Sequence, residues 1–302
     1  MKNYSCLLII TMMLLFACQK QSSYYINAYN ADGLKKFLTY TGEPMYLLSA
    51  HRGGPEPDFP ENCTATFEHT LRHCYAMMEI DPRYSKDSVM VVHHDETLER
   101  TTTGKGRVND FTASELKKLN LKDLKGNPTN YQMQTLDEML AWAKGKTILL
   151  LDKKDVSIEQ RARKVTECKA ESCVILLAYT YEEALACYRI NPNIMMQVFI
   201  KNHAEIEQFS QTGIPWDNVV VFIGHQKPED MSFIHELHKR GVLCIMGTSR
   251  NLDRDYIEGK VEGIESLKSG YHLFYDEGVD ILETDIPVPV SRIIKQNISL
   301  SK

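Results

Sequence analysis

Long apolar runs are scarce in this chain of 302 residues, and the run at its N-terminus, Cys6 to Phe16, is too short to span a bilayer as a permanent helix. No Gly-x-Gly-x-x-Gly or Walker fingerprint follows any apolar run, which removes support for dinucleotide binding and nucleoside-triphosphate chemistry. Basic runs and basic-aromatic interleaving are also missing, and the net charge is −5 with a pI near 6.1. That balance argues against nucleic acid as a partner. Cys-x-x-Cys pairs are absent, so zinc is not expected. No internal repeat organises the tyrosines and methionines, and no protein partner is implied.

What is present describes a globular protein: 43% hydrophobic and 25% charged residues, enough for one large core or two smaller ones. The N-terminus reads as a targeting segment. Lys2 precedes the apolar run, which ends in Leu15-Phe16-Ala17-Cys18 and turns polar at Gln19-Lys20-Gln21-Ser22-Ser23. Leu-x-Ala-Cys resembles the bacterial lipobox. The resemblance implies a lipoprotein signal peptide over 1–17, diacylglycerol on Cys18, and a tether and N-terminal segment over 18–40. It also implies an exported protein, membrane-anchored on the periplasmic or cell-surface side. Plain secretion is the competing reading. Of the remaining cysteines, Cys63, Cys74, Cys187 and Cys244 sit in apolar patterns and read as buried hydrophobes. Cys168 and Cys173 either close a small disulfide loop or stay as thiols.

From Met45 onward, apolar strands of four to seven residues alternate with amphipathic helices, the mark of parallel β/α units buried on both faces. About eight units fit a (β/α)8 barrel better than an open doubly wound sheet. Between Glu96 and Gln134 the pattern loosens into Thr, Gly, Lys and Asn. That stretch reads as an insertion after the second β/α unit, too poor in apolar residues for a core of its own. The barrel is expected over 41–302.

The chemistry concentrates between Ser49 and Asp95. Glu79 and Asp81 end one strand and, two apart, can look into one site. His51, His94 and Asp152 also follow strand-like runs, which in a barrel puts all five on the catalytic rim. A hard divalent cation between the carboxylates, with a histidine on either side, suits hydrolysis of a phosphate ester.

These residues fall in motifs that resemble the glycerophosphodiester phosphodiesterase family. They are Ala50-His51-Arg52-Gly53, Pro60-Glu61-Asn62, Met78-Glu79-Ile80-Asp81, His94-Asp95, Leu98-Glu99-Arg100-Thr101, Gln134-Thr135-Leu136-x-Glu138, and Gly278-Val279-Asp280 through Thr284-Asp285-x-Pro287. The resemblance implies an α/β TIM barrel and metal-dependent hydrolysis of a small glycerophosphodiester to sn-glycerol 3-phosphate and an alcohol. It implies one Ca2+ or Mg2+ ion on Glu79, Asp81 and Asp152, acid/base catalysis by His51 and His94, and substrate contacts from Arg52, Lys154 and Glu61. Three places depart from the family pattern. Asp152-Lys153-Lys154 stands where it has Glu-x-Lys, Met246-Gly247-Thr248 where it has an aromatic-led Trp-Thr, and Gly54 to Pro60 lengthens a loop. Two alternatives remain: a phospholipase D-like enzyme acting on lysophospholipid or sphingolipid, and a non-catalytic binding lipoprotein on the same barrel. His225 is a candidate for substrate contact, Glu61, Asn62 and Arg100 for pinning loops, and Glu283 and Asp285 for structural hydrogen bonds.

Overall fold

The structure is a computed structural model that describes residues 23–296 and 298. The expected signal peptide, Cys18 and most of the tether lie outside these residues. Among the described residues no helix is long and apolar enough to cross a membrane.

The described residues form twelve strands in chain order: β1 (Leu47–Ala50), β2 (Ala76–Ile80), β3 (Pro82–Tyr84), β4 (Met90–Val92), β5 (Asn120–Lys122), β6 (Pro128–Gln132), β7 (Leu149–Leu151), β8 (Val174–Leu177), β9 (Met195–Phe199), β10 (Val219–Gly224), β11 (Cys244–Gly247) and β12 (Ile281–Thr284). Eight close into a parallel barrel in the order β1-β12-β11-β10-β9-β8-β7-β2, with helices between successive strands. The alternation of strand residues explains why the runs are apolar throughout. Leu47, Met77, Leu150, Ile175 and Ile281 fill the barrel interior, while their neighbours Leu48, Met78, Leu149, Leu176 and Leu282 pack outward under the helices.

The run ending at His94 is not a barrel strand. β4 pairs antiparallel with β3 in a hairpin outside the barrel, so His94 reaches the rim from an excursion. The barrel strand it follows is β2. The insertion therefore starts near Pro82, not Glu96, and lies between the strand and the helix of the second unit (Leu136–Ala143). It has a small core after all: Leu98, Val108, Ala113, Leu116, Leu121 and Met133 cluster with Val91 and with Cys63 from the barrel side. With Val91 of its own hairpin and Cys63 borrowed from the barrel side, a stretch with so few apolar groups still closes a core.

The N-terminal segment does more than connect. Residues Ala31–Phe37 form a helix whose first turn is capped by the Asn30 side chain accepting the Gly33 amide. Ile26, Leu34 and Leu38 pack beneath the barrel interior beside Leu47 and Ile281. Leu34 is fully buried, so Leu34→Ala should cost about 2–5 kcal/mol in denaturant unfolding. A loss under 1 kcal/mol would return this segment to the role of tether. The six cysteines of the described residues are all free, so Cys168 and Cys173 do not form the disulfide left open above.

Candidate active site

The His51-Arg52-Gly53 turn begins where β1 ends. Arg52 and Gly53 both take positive φ, at 53° and 87°. A Cβ on Gly53 would lie 2.2 Å from the Phe67 ring, so glycine is required both for the turn and for the close approach. The strained turn aims the Arg52 amide at Glu79, whose Oε2 accepts it at 2.9 Å.

Glu79, Asp81 and Asp152 converge: one ligand oxygen from each lies within 4.8 Å of the others. Asn62 holds Asp81 from both sides, its Nδ2 donating to Oδ2 at 2.7 Å and its Oδ1 accepting the Asp81 amide at 3.2 Å. Asp152 is gripped by the Lys153 amide at 2.6 Å, by the Tyr179 hydroxyl and by Lys154. This grip fixes a side chain one methylene shorter than the family's glutamate. The Lys154 ammonium also lies 2.9 Å from Asp81 Oδ1, though out of line for a hydrogen bond, and that oxygen is buried without another partner. Three carboxylates on this spacing, one with an unsatisfied buried oxygen, fit a hard cation that prefers oxygen ligands.

The electrostatics follow from burial and neighbours. Burial, then the charge of Asp81, pushes the Glu79 carboxyl well above its ordinary range. Burial pushes Asp81 the same way, but Lys154, His94 and the Asn62 hydrogen bond outweigh it and leave its carboxyl below the usual value. Glu283, buried at the end of β12, is raised to about 7, chiefly by burial.

The two histidines differ. His51 Nδ1 lies 2.5 Å from Asp285 Oδ1, and His94 Nδ1 lies 2.7 Å from Asp95 Oδ1. Burial disfavours the charge on His51, but Asp285, Glu79 and Glu283 overcome it and raise the imidazole to about 10. For His94 burial wins over Asp81 and Asp95 and lowers it. Asp285 is held in turn by Asp253, a fully buried carboxylate that accepts the Asp285 amide at 2.8 Å, Thr284 Oγ1 at 2.9 Å and the Tyr271 hydroxyl at 2.6 Å.

Glu61 does not line the cavity. It is buried and bound by Arg100 at 2.7 and 2.9 Å and by Arg52 at 3.3 Å. Arg100 also binds Asp95, so Glu61 belongs to a network that positions Arg52 and His94. Of the two expectations for Glu61, substrate contact and loop pinning, this placement fits pinning. His93 is buried, with Nε2 donating to the Thr97 carbonyl. His69, on the helix Thr64–Leu71, and His73, just past its end, are not a ligand pair: His69 faces Glu56 and His73 turns to the His69 carbonyl.

His51, Arg52, Glu79, His94, Asp152 and Lys154 open on a cavity of about 1190 Å3. Its further wall carries Tyr179, Phe199 and Phe222, the first two stacked at 4.8 Å. The expected Asp285 hydrogen bonds are there, but their service to His51 was missed. In a closed barrel β1 pairs with β12, and Ala50 stands opposite Thr284, so the next residues, His51 and Asp285, must be neighbours. The signal was available once closure was assumed. Asp95 stood in the His94-Asp95 motif, but its pairing with the His94 ring was not read, and Tyr179 carried no signal, being one tyrosine among fifteen.

Comparison with known proteins gives a consistent result. The profile of the glycerophosphoryl diester phosphodiesterase family matches residues 51–264, more than half of the chain. A crystal structure of a glycerophosphoryl diester phosphodiesterase from Parabacteroides distasonis is similar at 40% identity and a TM-score of 0.86, covering 93% of this chain and 96% of that one. The uncharacterized protein YqiK of Bacillus subtilis is 32% identical over 160 residues, 50% of this chain and 65% of its own length. A glycerophosphodiester phosphodiesterase from Caldanaerobacter subterraneus is 45% identical over 73 residues, 24% of this chain and 30% of its own length. The matched stretches thus span less than two thirds of these curated relatives.

Proposed function

The chain belongs to the glycerophosphoryl diester phosphodiesterase family, and from that premise we propose that it hydrolyses glycerophosphodiesters to sn-glycerol 3-phosphate and an alcohol, with a divalent cation, Ca2+ or Mg2+. The observation that carries the reading is the convergence of Glu79, Asp81 and Asp152 between two carboxylate-paired histidines. When bound, the cation supplies Lewis-acid polarisation of a phosphoryl oxygen.

The histidines divide the proton work. His94, lowered by burial, is neutral near pH 7 and accepts the nucleophile's proton at Nε2, its Nδ1–H being donated to Asp95. His51, kept protonated by Asp285, donates from Nε2 to the leaving oxygen. Asp285 and Asp95 fix the two rings, as carboxylate partners of catalytic histidines do. Arg52 and Lys154 balance the phosphate charge. Each cation is already tied to a carboxylate, Arg52 to Glu61 and Lys154 to Asp81 and Asp152, so both are pre-oriented toward the cavity.

The lip of the cavity bears Lys201, Lys227, Glu229, Asp230 and Arg250. A charged lip suits a water-soluble glycerophosphodiester better than a lysophospholipid or sphingolipid tail. The intact cluster and paired histidines equally disfavour a non-catalytic binder.

The test is release of sn-glycerol 3-phosphate from glycerophosphoglycerol and glycerophosphoethanolamine, with EDTA and then with Ca2+ or Mg2+ restored. Metal-dependent release is expected; a folded, metal-loaded protein that releases none overturns the reading. The lipobox-like Leu15-Phe16-Ala17-Cys18 supports lipid anchoring, by which the enzyme would work at a membrane surface. Cys18→Ser should then move the protein from the membrane to the soluble fraction, and unchanged membrane association would end the anchoring proposal.

A further inference from the structure

We propose that the cavity wall built by Lys201, His225 and Arg250 is a subsite for an anionic leaving group, so that diesters whose alcohol carries a further phosphate are the preferred substrates. This rests on the hydrolase reading above and adds the charge of the leaving alcohol to it.

The topology places the subsite. Going round the rim from β1, the order is β12, β11, β10, β9. His51 follows β1, Asp285 follows β12, Arg250 comes after β11, His225 follows β10 and Lys201 comes after β9. The proton donor and the three subsite residues thus occupy one continuous arc, while β2 and the insertion bearing His94 lie on the other side of β1. His51 delivers its proton to the leaving oxygen, so the alcohol attached to that oxygen extends along this arc.

The charges there are available. Arg52, Lys154 and Lys227, the other cations of the cavity, are paired with Glu61, with Asp81 and Asp152, and with Glu277. Among the described residues, Lys201 and Arg250 have no carboxylate within 4.0 Å, although both line the cavity and are exposed to it. Two carboxylates stand on the same lip. Asp230 accepts the Ser232 amide at 2.8 Å, and neither it nor Glu229 comes within 4.0 Å of Lys201 or Arg250.

His225 is built into the wall at a cost to its neighbour. A Cβ at Gly247 would lie 2.1 Å from its Nδ1, so the glycine that replaces the family's aromatic is what admits the imidazole. Asn251 Nδ2 pins the loop by donating to the His225 carbonyl at 2.8 Å, and the ring packs edge-on against Phe222 at 5.1 Å. Its Nδ1 is buried against Gly247 with no hydrogen-bond partner, while the ring lines the cavity. Burial, then Arg250 and His51, depress the ring to about 4, so it enters the wall as a neutral group. The position that lost an indole wall has gained a polar one.

The experiment compares kcat/KM, at fixed low salt, for three diesters whose alcohols are cationic (glycerophosphocholine), neutral (glycerophosphoglycerol) and anionic (glycerophosphoinositol 4-phosphate). The anionic substrate should lead the cationic one by tenfold or more. The anionic-to-neutral ratio should fall roughly fivefold for each of K201Q and R250Q, and invert in K201E/R250E. Raising salt should erode the preference. Equal rates for all three, or a ratio unchanged in K201E/R250E, overturn the subsite and leave the hydrolase intact. If none is cleaved, the hydrolase reading falls, and calorimetric titration with inositol phosphate decides the subsite alone. Binding that K201E/R250E abolishes upholds it; no binding, or binding equal in the variant, ends it.

Discussion

His51→Ala should lower kcat by between about a hundredfold and ten-thousandfold, the range spanned by removal of a positioned proton donor. Asp285→Asn tests the same assignment through its pH dependence. The Asp285 carboxylate is the foremost group that keeps the His51 proton in place, aided by Glu79 and Glu283, and together they override burial. Activity that requires His51 protonated falls on the alkaline side, as pH rises through its raised value. Asp285→Asn removes a negative charge and should move that limb toward lower pH, with the acid limb set by His94 left in place. A bound divalent cation lowers both histidines, so the diagnostic quantity is the displacement between variant and parent. The same pair has a stability consequence. Because the folded value, about 10, lies above the ordinary 6.5, the pair's contribution is fully present below pH 6.5 and is lost as pH rises through about 10. The stability lost in Asp285→Asn should therefore be largest at acid and neutral pH and shrink toward pH 10. An alkaline limb that does not move would assign it to another group.

Much of this arrangement is legible in the sequence, and the parts that are not share a cause. Strand ends could be read because each follows a local apolar run, and two-residue spacing placed Glu79 and Asp81 together. Those inferences need only a few neighbouring residues. The contacts that decide the roles join distant ones: His51 to Asp285 across 234 positions, Tyr179 to Asp152 across 27, and Arg100 to Glu61 across 39. Periodicity carries no information about such pairs. Of the two readings of Glu61, substrate contact and loop pinning, the structure bears out pinning, through an Arg100 that reaches it only when the insertion folds back over the rim. His94 was assigned to a barrel strand because β4 is as apolar as its neighbours; its antiparallel pairing with β3 depends on the turn between them, which strand composition does not report. The departure from Glu to Asp at 152 was visible. Its compensation by Tyr179, Lys153 and Lys154 was not.

Glu79→Gln should abolish the stabilisation that Ca2+ or Mg2+ gives the parent protein and lower kcat/KM by at least about a thousandfold. Glu79 is almost inaccessible and lies within reach of Asp81 and Asp152, so without a cation its carboxyl stays protonated far above the ordinary range. Glutamine is close in shape to that protonated form and adds no charge, so the metal-free variant should unfold at or slightly above the parent's Tm. A cation requires the ionised carboxylate, and binding must expel the proton. Calorimetric titration of the parent at pH 7 in two buffers of different ionisation enthalpy should therefore report proton release, and E79Q should report none. At a hundredfold excess over Kd, metal should stabilise the parent by about 2.7 kcal/mol, seen as a rise of Tm. E79Q should show no rise at the same concentration. A lost shift with an unchanged metal-free Tm separates a missing ligand from a damaged fold. A shift equal to the parent's would take Glu79 out of the ligand set, leaving Asp81 and Asp152 to hold the cation without the group most strongly driven by burial to seek one.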